Sequence, residues 1–510
     1  MAVLTEPHDG PDGAASRPGA RRDAHLDVLV IGAGISGISA GYALQTRCPG
    51  KSYAILEARD TLGGTWDLFR YPGLRSDSDL HTFGFSFRAW TEDKSIADAA
   101  SILNYLRATA EAFGIDRRIR YGQRVVSAAW STPEARWTVE VEAGRERITY
   151  TCGFLYVCAG YYDYEGGYRP DWPGTGRFAG PIVHPQAWPE HLDYAGKRVV
   201  VIGSGATAVT LVPEMARSAA HVTMLQRSPT YIVALPARDR IANWLKRRLP
   251  SGLAHRLARW KNIGLSIFFY QFARRKPEAM TQRILGGIRR QLGADYDVGT
   301  HFTPRYKPWD QRLCLVPDGD LFKAIREGRA TVETDAIETF TEDGLRLASG
   351  RHLSADIVVT ATGLRLKLMG GVRLSVDGRT PDPAETCMYK GMMLSDVPNL
   401  ALALGYTNAS WTLKCELTAG YVCRLLRRMD ARGETWCVPR RGAATGEEPL
   451  IGFTSGYIAR ARHLMPKQGD AHPWKLHQNY VLDLASLRYG RLDDGAMVFG
   501  GRRADARRAA

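Results

Sequence analysis

Two glycine-spaced loops carry the most readable chemistry in this chain. Gly32, Gly34 and Gly37 stand at G-x-G-x-x-G spacing, with Ser36 between the last two, directly after the apolar run 26–31 and before a helical pattern through Leu44. The first glycine permits a tight turn, the second close backbone approach to a pyrophosphate, and the third close helix–strand packing. The helix that begins there offers free N–H groups and a partial positive charge to that phosphate. A second apolar run, 53–56, ends in Glu57, where a carboxylate can accept from ribose hydroxyls. The pattern returns at Gly203-Ser204-Gly205-Ala206-Thr207-Ala208-Val209, with alanine in place of the third glycine. The apolar run that follows ends in Gln226-Arg227 rather than in an acid. An arginine there attracts a 2′-phosphate that a carboxylate would repel, so NADPH is expected over NADH.

Between the two loops lies FAGPIVHPQAWP, with Phe178, Gly180, His184 and Trp188-Pro189. A segment joining two nucleotide-binding lobes can serve as linker and latch, with His184 able to hydrogen-bond across the joint. The alternative is an ordinary buried turn with a satisfied histidine.

These sites need a large scaffold, and 510 residues leave room for two or three domains with full hydrophobic interiors. The composition, 45% hydrophobic and 24% charged, is that of a soluble globular protein. Eight cysteines show no C-x-x-C pair and no His/Cys cluster at ligand spacing. That points to a reducing cytoplasm and away from structural zinc, any other metal site, or a redox-active disulfide. Arg21-Arg22 before the run 26–44 imitates an export signal or a membrane span, but Asp27 and the three glycines suit a strand–turn–helix better.

The net charge of +15 is concentrated. Between Ala237 and Arg290 fourteen Lys/Arg face only Asp239 and Glu278, with Ile241, Trp244, Leu257, Trp260 and Phe268 interleaved. This reads as a basic helical insertion over 237–300, either a solvated helical face or a peripheral contact with membrane through 237–290. No nucleic-acid motif accompanies it.

Alternation from Arg124 to Tyr150 predicts antiparallel strands, the first opened by Val125, before 154–160 returns to a parallel sheet. The expected organisation is an N-terminal arm over 1–25, a first dinucleotide-binding domain over 26–160 (for FAD, on the resemblance given below), an NADP-binding domain over 161–355 with the insertion, a second part of the first domain over 356–495, and an arginine-rich tail over 496–510. The fold class is α/β, two Rossmann-like domains.

Gly63-Gly64-Thr65-Trp66-Asp67-Leu68, then RYPG, Arg75-Ser76-Asp77, the Phe178 segment, QRSPTYIV, WDQRLCLVP and GYTNASWTLK together resemble class B flavin-dependent Baeyer–Villiger monooxygenases, of the ethionamide monooxygenase type. The resemblance runs from Leu26 to about Arg491 and implies the FAD/NAD(P) flavoprotein monooxygenase fold. It makes the first loop an FAD site, with Glu57, Thr65, Trp66, Asp67, Leu68, Asp77 and a backbone contact at Val125. Arg75, Ser76 and Asp77 would lie near both flavin and nicotinamide. It further implies that NADPH reduces FAD and that O2 is captured as a flavin C4a-(hydro)peroxide. That species would turn a ketone into an ester or lactone, or oxygenate the sulfur of a thioamide or sulfide. Arg312 would be the catalytic cation and Asp77 its partner; the other readings are an Arg312–Asp310 pair and a turn-capping Asp77. The family's usual Lys-Arg pair is Gln311-Arg312 here.

Overall fold

The structure is a computed structural model and describes residues 21–442 and 445–501. The first nucleotide loop follows strand Arg21–Ile31 and opens helix α1, Ile35–Arg47. That strand is the interior of an eight-stranded sheet, parallel to Tyr53–Leu56 on one side and to Glu146–Val157 on the other. It begins at Arg21, so part of the expected N-terminal arm is sheet; the remainder, 1–20, lies outside the described residues. The reason is pairing, since the backbone of Arg21 and Arg22 is in register with Ile148 and Thr149.

Strands Arg124–Ser131, Arg136–Ala143 and Glu146–Val157 form the expected antiparallel meander. The sequence pattern has the antiparallel strands end at Tyr150 and 154–160 return to a parallel sheet. Instead the twelve-residue strand Glu146–Val157 does both, antiparallel along one edge and parallel along the other.

The second sheet has five strands, all parallel: Ala330–Thr334, His221–Gln226, Arg198–Ile202, Ile357–Thr360 and Ile182–Val183. Its loop opens α2, Ala206–Met215. Ile357–Thr360 was expected to belong to the FAD lobe, but it pairs with Arg198–Ile202 and is buried at all four positions. The crossing back comes later, where Leu364–Leu366 runs antiparallel to Tyr162–Gly167. Apolar side chains pack both faces of each sheet, as wholly buried parallel strands require.

The insertion is helical: α3, Arg240–Arg248, α4, Ser251–Arg275, then Pro277–Leu292 and Val298–Phe302. The chain ends with α5, Trp411–Arg432, and α6, Tyr480–Leu484. Strand Met497–Gly500 pairs with Trp436–Pro439, so the expected tail starts as sheet; 502–510 lie outside the described residues. Among the described residues no helix is long and apolar enough to cross a membrane.

Candidate active site

Both nucleotide loops sit where strand order reverses. Gly32 follows Arg21–Ile31 with φ +100°, and a Cβ there would lie 2.7 Å from the Cys158 carbonyl at the end of the neighbouring strand. Gly203 repeats this with φ +135° and the Ala361 carbonyl at 2.3 Å. Each sheet thus opens a crevice at its switch point, the place where α/β sheets hold nucleotides. A Cβ on Gly37 would strike the Gly32 carbonyl at 1.9 Å, the close helix–strand packing expected of the third glycine. Gly205 differs: an added Cβ meets nothing within 4 Å, because this residue faces open space. Neither α1 nor α2 has a side-chain cap at its N-terminus, so the first-turn N–H groups stay available for a phosphate.

One cleft of about 1280 Å³ joins the two loops. That exceeds the roughly 300–1,000 Å³ of a site for one small molecule. Gly32, Gly34, Ser36, Glu57, Thr65, Trp66, Leu68 and Val125 line its first arm; Gly203 to Thr207, Gln226 and Arg227 line the second. Glu57 is buried and accepts from the Ala33 N–H at 2.7 Å and the Arg59 N–H at 3.0 Å. Burial raises its pKa and these N–H groups pull it back. The carboxylate braces the loop while facing the cleft, an acceptor that fits the ribose hydroxyls of a dinucleotide.

Arg75, Ser76, Asp77 and Arg312 all line this cleft. The Arg312 Nε donates to Asp77 Oδ2 at 2.7 Å, both side chains 36% exposed. The Asp77 carboxylate holds the guanidinium pKa above its already high value. Asp310, the rival acid, pairs with Arg274 at 2.8 Å instead. Arg75 reaches across the lobes to Asp320, with contacts of 2.5 and 3.3 Å.

Gly37, Asp67, Ala208 and Val209 stand away from the cleft. Asp67 is buried and ion-paired to Arg59 at 2.5 Å. Gly37, Ala208 and Val209 pack beneath their helices. Gln226 is buried and spends its amide on the His301 carbonyl, 2.7 Å, and the Thr334 hydroxyl, 2.9 Å. Arg227 is exposed.

Phe178, Gly180, His184 and Trp188 lie outside the cleft lining. His184 Nδ1 accepts from the Gln186 N–H at 3.2 Å, which leaves Nε2–H to donate to the Gly363 carbonyl at 3.3 Å. Gly363 stands just before the crossing strand, so His184 links one lobe's turn to the passage between lobes. Burial lowers its pKa, consistent with a neutral ring. Gly167 must be glycine, since a Cβ would fall 1.8 Å from that ring. Gly180 passes within Cβ distance, 2.3 Å, of the Asp356 carbonyl. Phe178 and Trp188 pack into the hydrophobic interior of this lobe.

Sequence reasoning missed the aromatic wall. Tyr161 and Tyr162 follow the C-terminal end of strand Glu146–Val157, their hydroxyls 3.2 Å apart, and Tyr161 stacks on Trp411 at 5.2 Å. Tyr457 completes the wall beside Arg312. Burial pushes Tyr162 up to about 12, so it stays a neutral donor. Position at a parallel strand's C-terminal end was the one available signal.

Residues 29–264 match the family model described as pyridine nucleotide-disulphide oxidoreductase. No disulfide accompanies that match, for all eight cysteines are free and buried. The chain is 55% identical over 480 residues to the FAD-containing monooxygenase EthA of Mycobacterium tuberculosis (strain ATCC 25618 / H37Rv), covering 94% of this chain and 98% of that protein. Among solved structures it is similar to an oxidized steroid monooxygenase bound to NADP, with TM-score 0.72, 22% identity, and 93% and 99% of the two chains covered. It is also similar to the cyclohexanone monooxygenase from Rhodococcus sp. Phi1 bound to NADP+, with TM-score 0.65, 22% identity, and 82% and 87% covered. The chain therefore belongs to the family of the FAD-containing monooxygenase EthA, and it has the two-dinucleotide fold of the steroid and cyclohexanone monooxygenases.

Proposed function

We propose that this enzyme uses NADPH and O2 to convert a ketone into an ester or lactone, with oxygenation of thioamide or sulfide sulfur as a second activity of the same site. The balance is ketone, O2, NADPH and a proton giving ester, NADP+ and water. One observation carries the reading: a guanidinium, Arg312, held by Asp77 at 2.7 Å in the cleft that both glycine loops line.

FAD, bound by the Gly32 loop, Glu57 and the Thr65–Trp66 turn, would supply hydride acceptance and oxygen activation. The chain's own residues do the rest. Arg312 supplies a permanent positive charge toward negative charge developing on the substrate's carbonyl oxygen. Asp77 orients that fork and spreads its charge. The phenols of Tyr161 and Tyr162, with Trp411, exclude water and shape the space for the carbonyl. Arg227, exposed at the rim of the second arm, is placed to take the 2′-phosphate. Gln311 stands where the family pattern has lysine, which leaves Arg227 to carry more of that contact.

We place the reaction in a reducing cytoplasm, where eight free cysteines stay reduced, and at a membrane surface, which the cations of the insertion favour. The test is a panel of cyclic, linear and aryl ketones and thioamides, with NADPH consumption and products followed together. Ester formed in proportion to NADPH supports the proposal. Turnover that yields only S-oxide, with no ester from any ketone, would overturn the ketone reading.

A further inference from the structure

Helix α4 is apolar on two sides. Its inner stripe, Ala254, Ala258, Ile263 and Ala273, is buried against the body of the protein. The opposite stripe ought then to be polar, yet it carries Leu257, Trp260 at 49% exposure and Phe268 at 60%. Trp244 on the adjoining α3 adds another exposed ring, at 55%. A remote part of the chain extends this surface. Tyr480 makes an edge contact with Trp260, ring centroids 5.9 Å apart, and the next two residues, Val481 and Leu482, are about half exposed. α6 is fixed in that place by a buried ion pair, Lys414 to Asp483 at 2.8 Å.

The charge around this surface is predominantly positive. Arg240, Arg248, Arg256 and Arg275 are exposed and have no carboxylate partner among the described residues. The acids packed nearby are mostly spent: Asp239 pairs with Lys261, Glu416 with Arg259, and Asp483 with Lys414. Glu92 and Asp93 sit at one edge, where their carbonyls accept from Lys246 and Asn243. Glu278 is the remaining acid of the insertion between 237 and 290.

We propose that α3, α4 and α6 form one docking face for an anionic lipid bilayer, in which Trp244, Trp260, Phe268 and Leu482 enter the interface while the unpaired arginines meet headgroup phosphates. Exposed aromatic and aliphatic side chains rimmed by unpaired arginines complement a bilayer in a way they do not complement water or an acidic polymer. The face also lies directly outside the site. Ile263 and Ile267 on the inner side of α4 pack on Tyr406 and Ala409, which line the cleft. Docking this way holds one wall of the cleft against the membrane.

The proposal rests on the membrane-surface location given above, and the test separates the two. The full-length flavoprotein is sedimented with vesicles of phosphatidylglycerol and phosphatidylcholine, and with phosphatidylcholine alone, at low and high salt. Tryptophan quenching by brominated lipid is read in parallel. Wild type is expected to bind anionic vesicles at least about tenfold better than neutral ones, and to lose most of that binding in high salt. Trp244→Ser with Trp260→Ser and Phe268→Ser, and separately Leu482→Ser, should each cut binding about tenfold or more and abolish quenching. Both variants are expected to keep bound FAD and wild-type NADPH oxidation, since these side chains touch neither loop. Failure of wild type to bind any vesicle overturns the membrane location and the face together. Binding that survives both variants overturns the face alone. If the variants instead dissociate a lipid-free oligomer in sedimentation velocity and leave vesicle binding unchanged, the face joins copies of this chain, and the proposal fails.

Discussion

At the scale of single residues, Arg312 is the group on which the proposed reaction turns. Reduction of the cofactor needs only hydride delivery, whereas oxygen transfer needs a cation beside the developing negative charge. Removing such a preorganised donor costs about 3–4 kcal/mol at the transition state, roughly 10²–10³ in rate. Arg312→Ala is therefore expected to stay yellow, oxidise NADPH and release hydrogen peroxide, with ester yield reduced by that factor. Lysine should not restore it, because a point charge cannot copy the fork that Asp77 holds. A variant that remains coupled would remove Arg312 from the mechanism.

A second residue-scale expectation concerns His81, fully buried beside the insertion. Burial, helped by the nearby positive charge of Lys246, pushes its pKa down to about 4. The unfolded chain, with an ordinary histidine near 6.5, takes up its proton first as pH falls. Stability from this group is therefore full above about 6.5 and declines as pH drops toward 4, by an amount on the order of 3 kcal/mol. Urea unfolding at pH 7.5 and pH 5 should show a smaller loss in His81→Gln than in wild type; equal losses would assign the pH sensitivity elsewhere.

At the scale of elements, the two glycines of the second loop do different jobs and should fail differently. Gly203 is held at φ +135° against the Ala361 carbonyl, so Gly203→Val is expected to disrupt the second sheet and give insoluble protein. Gly205 has open space before it, so Gly205→Val should fold, keep FAD and raise the NADPH KM about tenfold or more by occupying the pyrophosphate position. A folded Gly205→Val with unchanged KM would mean that coenzyme does not approach this loop. The His184 contact belongs to the same scale. His184 is placed by the turn 185–187 and kept there by the absence of a side chain at Gly167, a pairing of residues that spacing alone does not disclose.

At the scale of the whole molecule, the question is what ties one lobe to the other. Arg75 was expected near the coenzyme, and it lines the cleft, but its guanidinium also grips Asp320 at the start of a helix in the second lobe. Asp320→Ala releases Arg75 without removing it, and is expected to change the NADPH KM by no more than about twofold. Arg75→Ala, which also deletes a charge-assisted contact of about 1.5–3 kcal/mol, should raise it about tenfold or more. Equal shifts in both variants would reduce Arg75 to a tie between lobes.

Read alone, the sequence located both glycine loops, the buried Glu57 beside the first of them, and the basic helical insertion. Those features are local: a loop's phosphate chemistry is set by glycine spacing and by the strand and helix on either side, all within about thirty residues. Tertiary structure decided whatever depends on neighbours far along the chain. Strand Ile357–Thr360 joins the second sheet because its register partner is Arg198–Ile202, not because of its own composition. Asp67 turns from the cleft because Arg59 and Arg107 claim its charge. Tyr161, Tyr162 and Tyr457 become one wall with Trp411 only when three segments converge. The apolar outer stripe of α4 looked like part of an ordinary amphipathic helix. Packing alone settled which stripe faces inward, because a helix with two apolar sides can bury only the one that its neighbours cover.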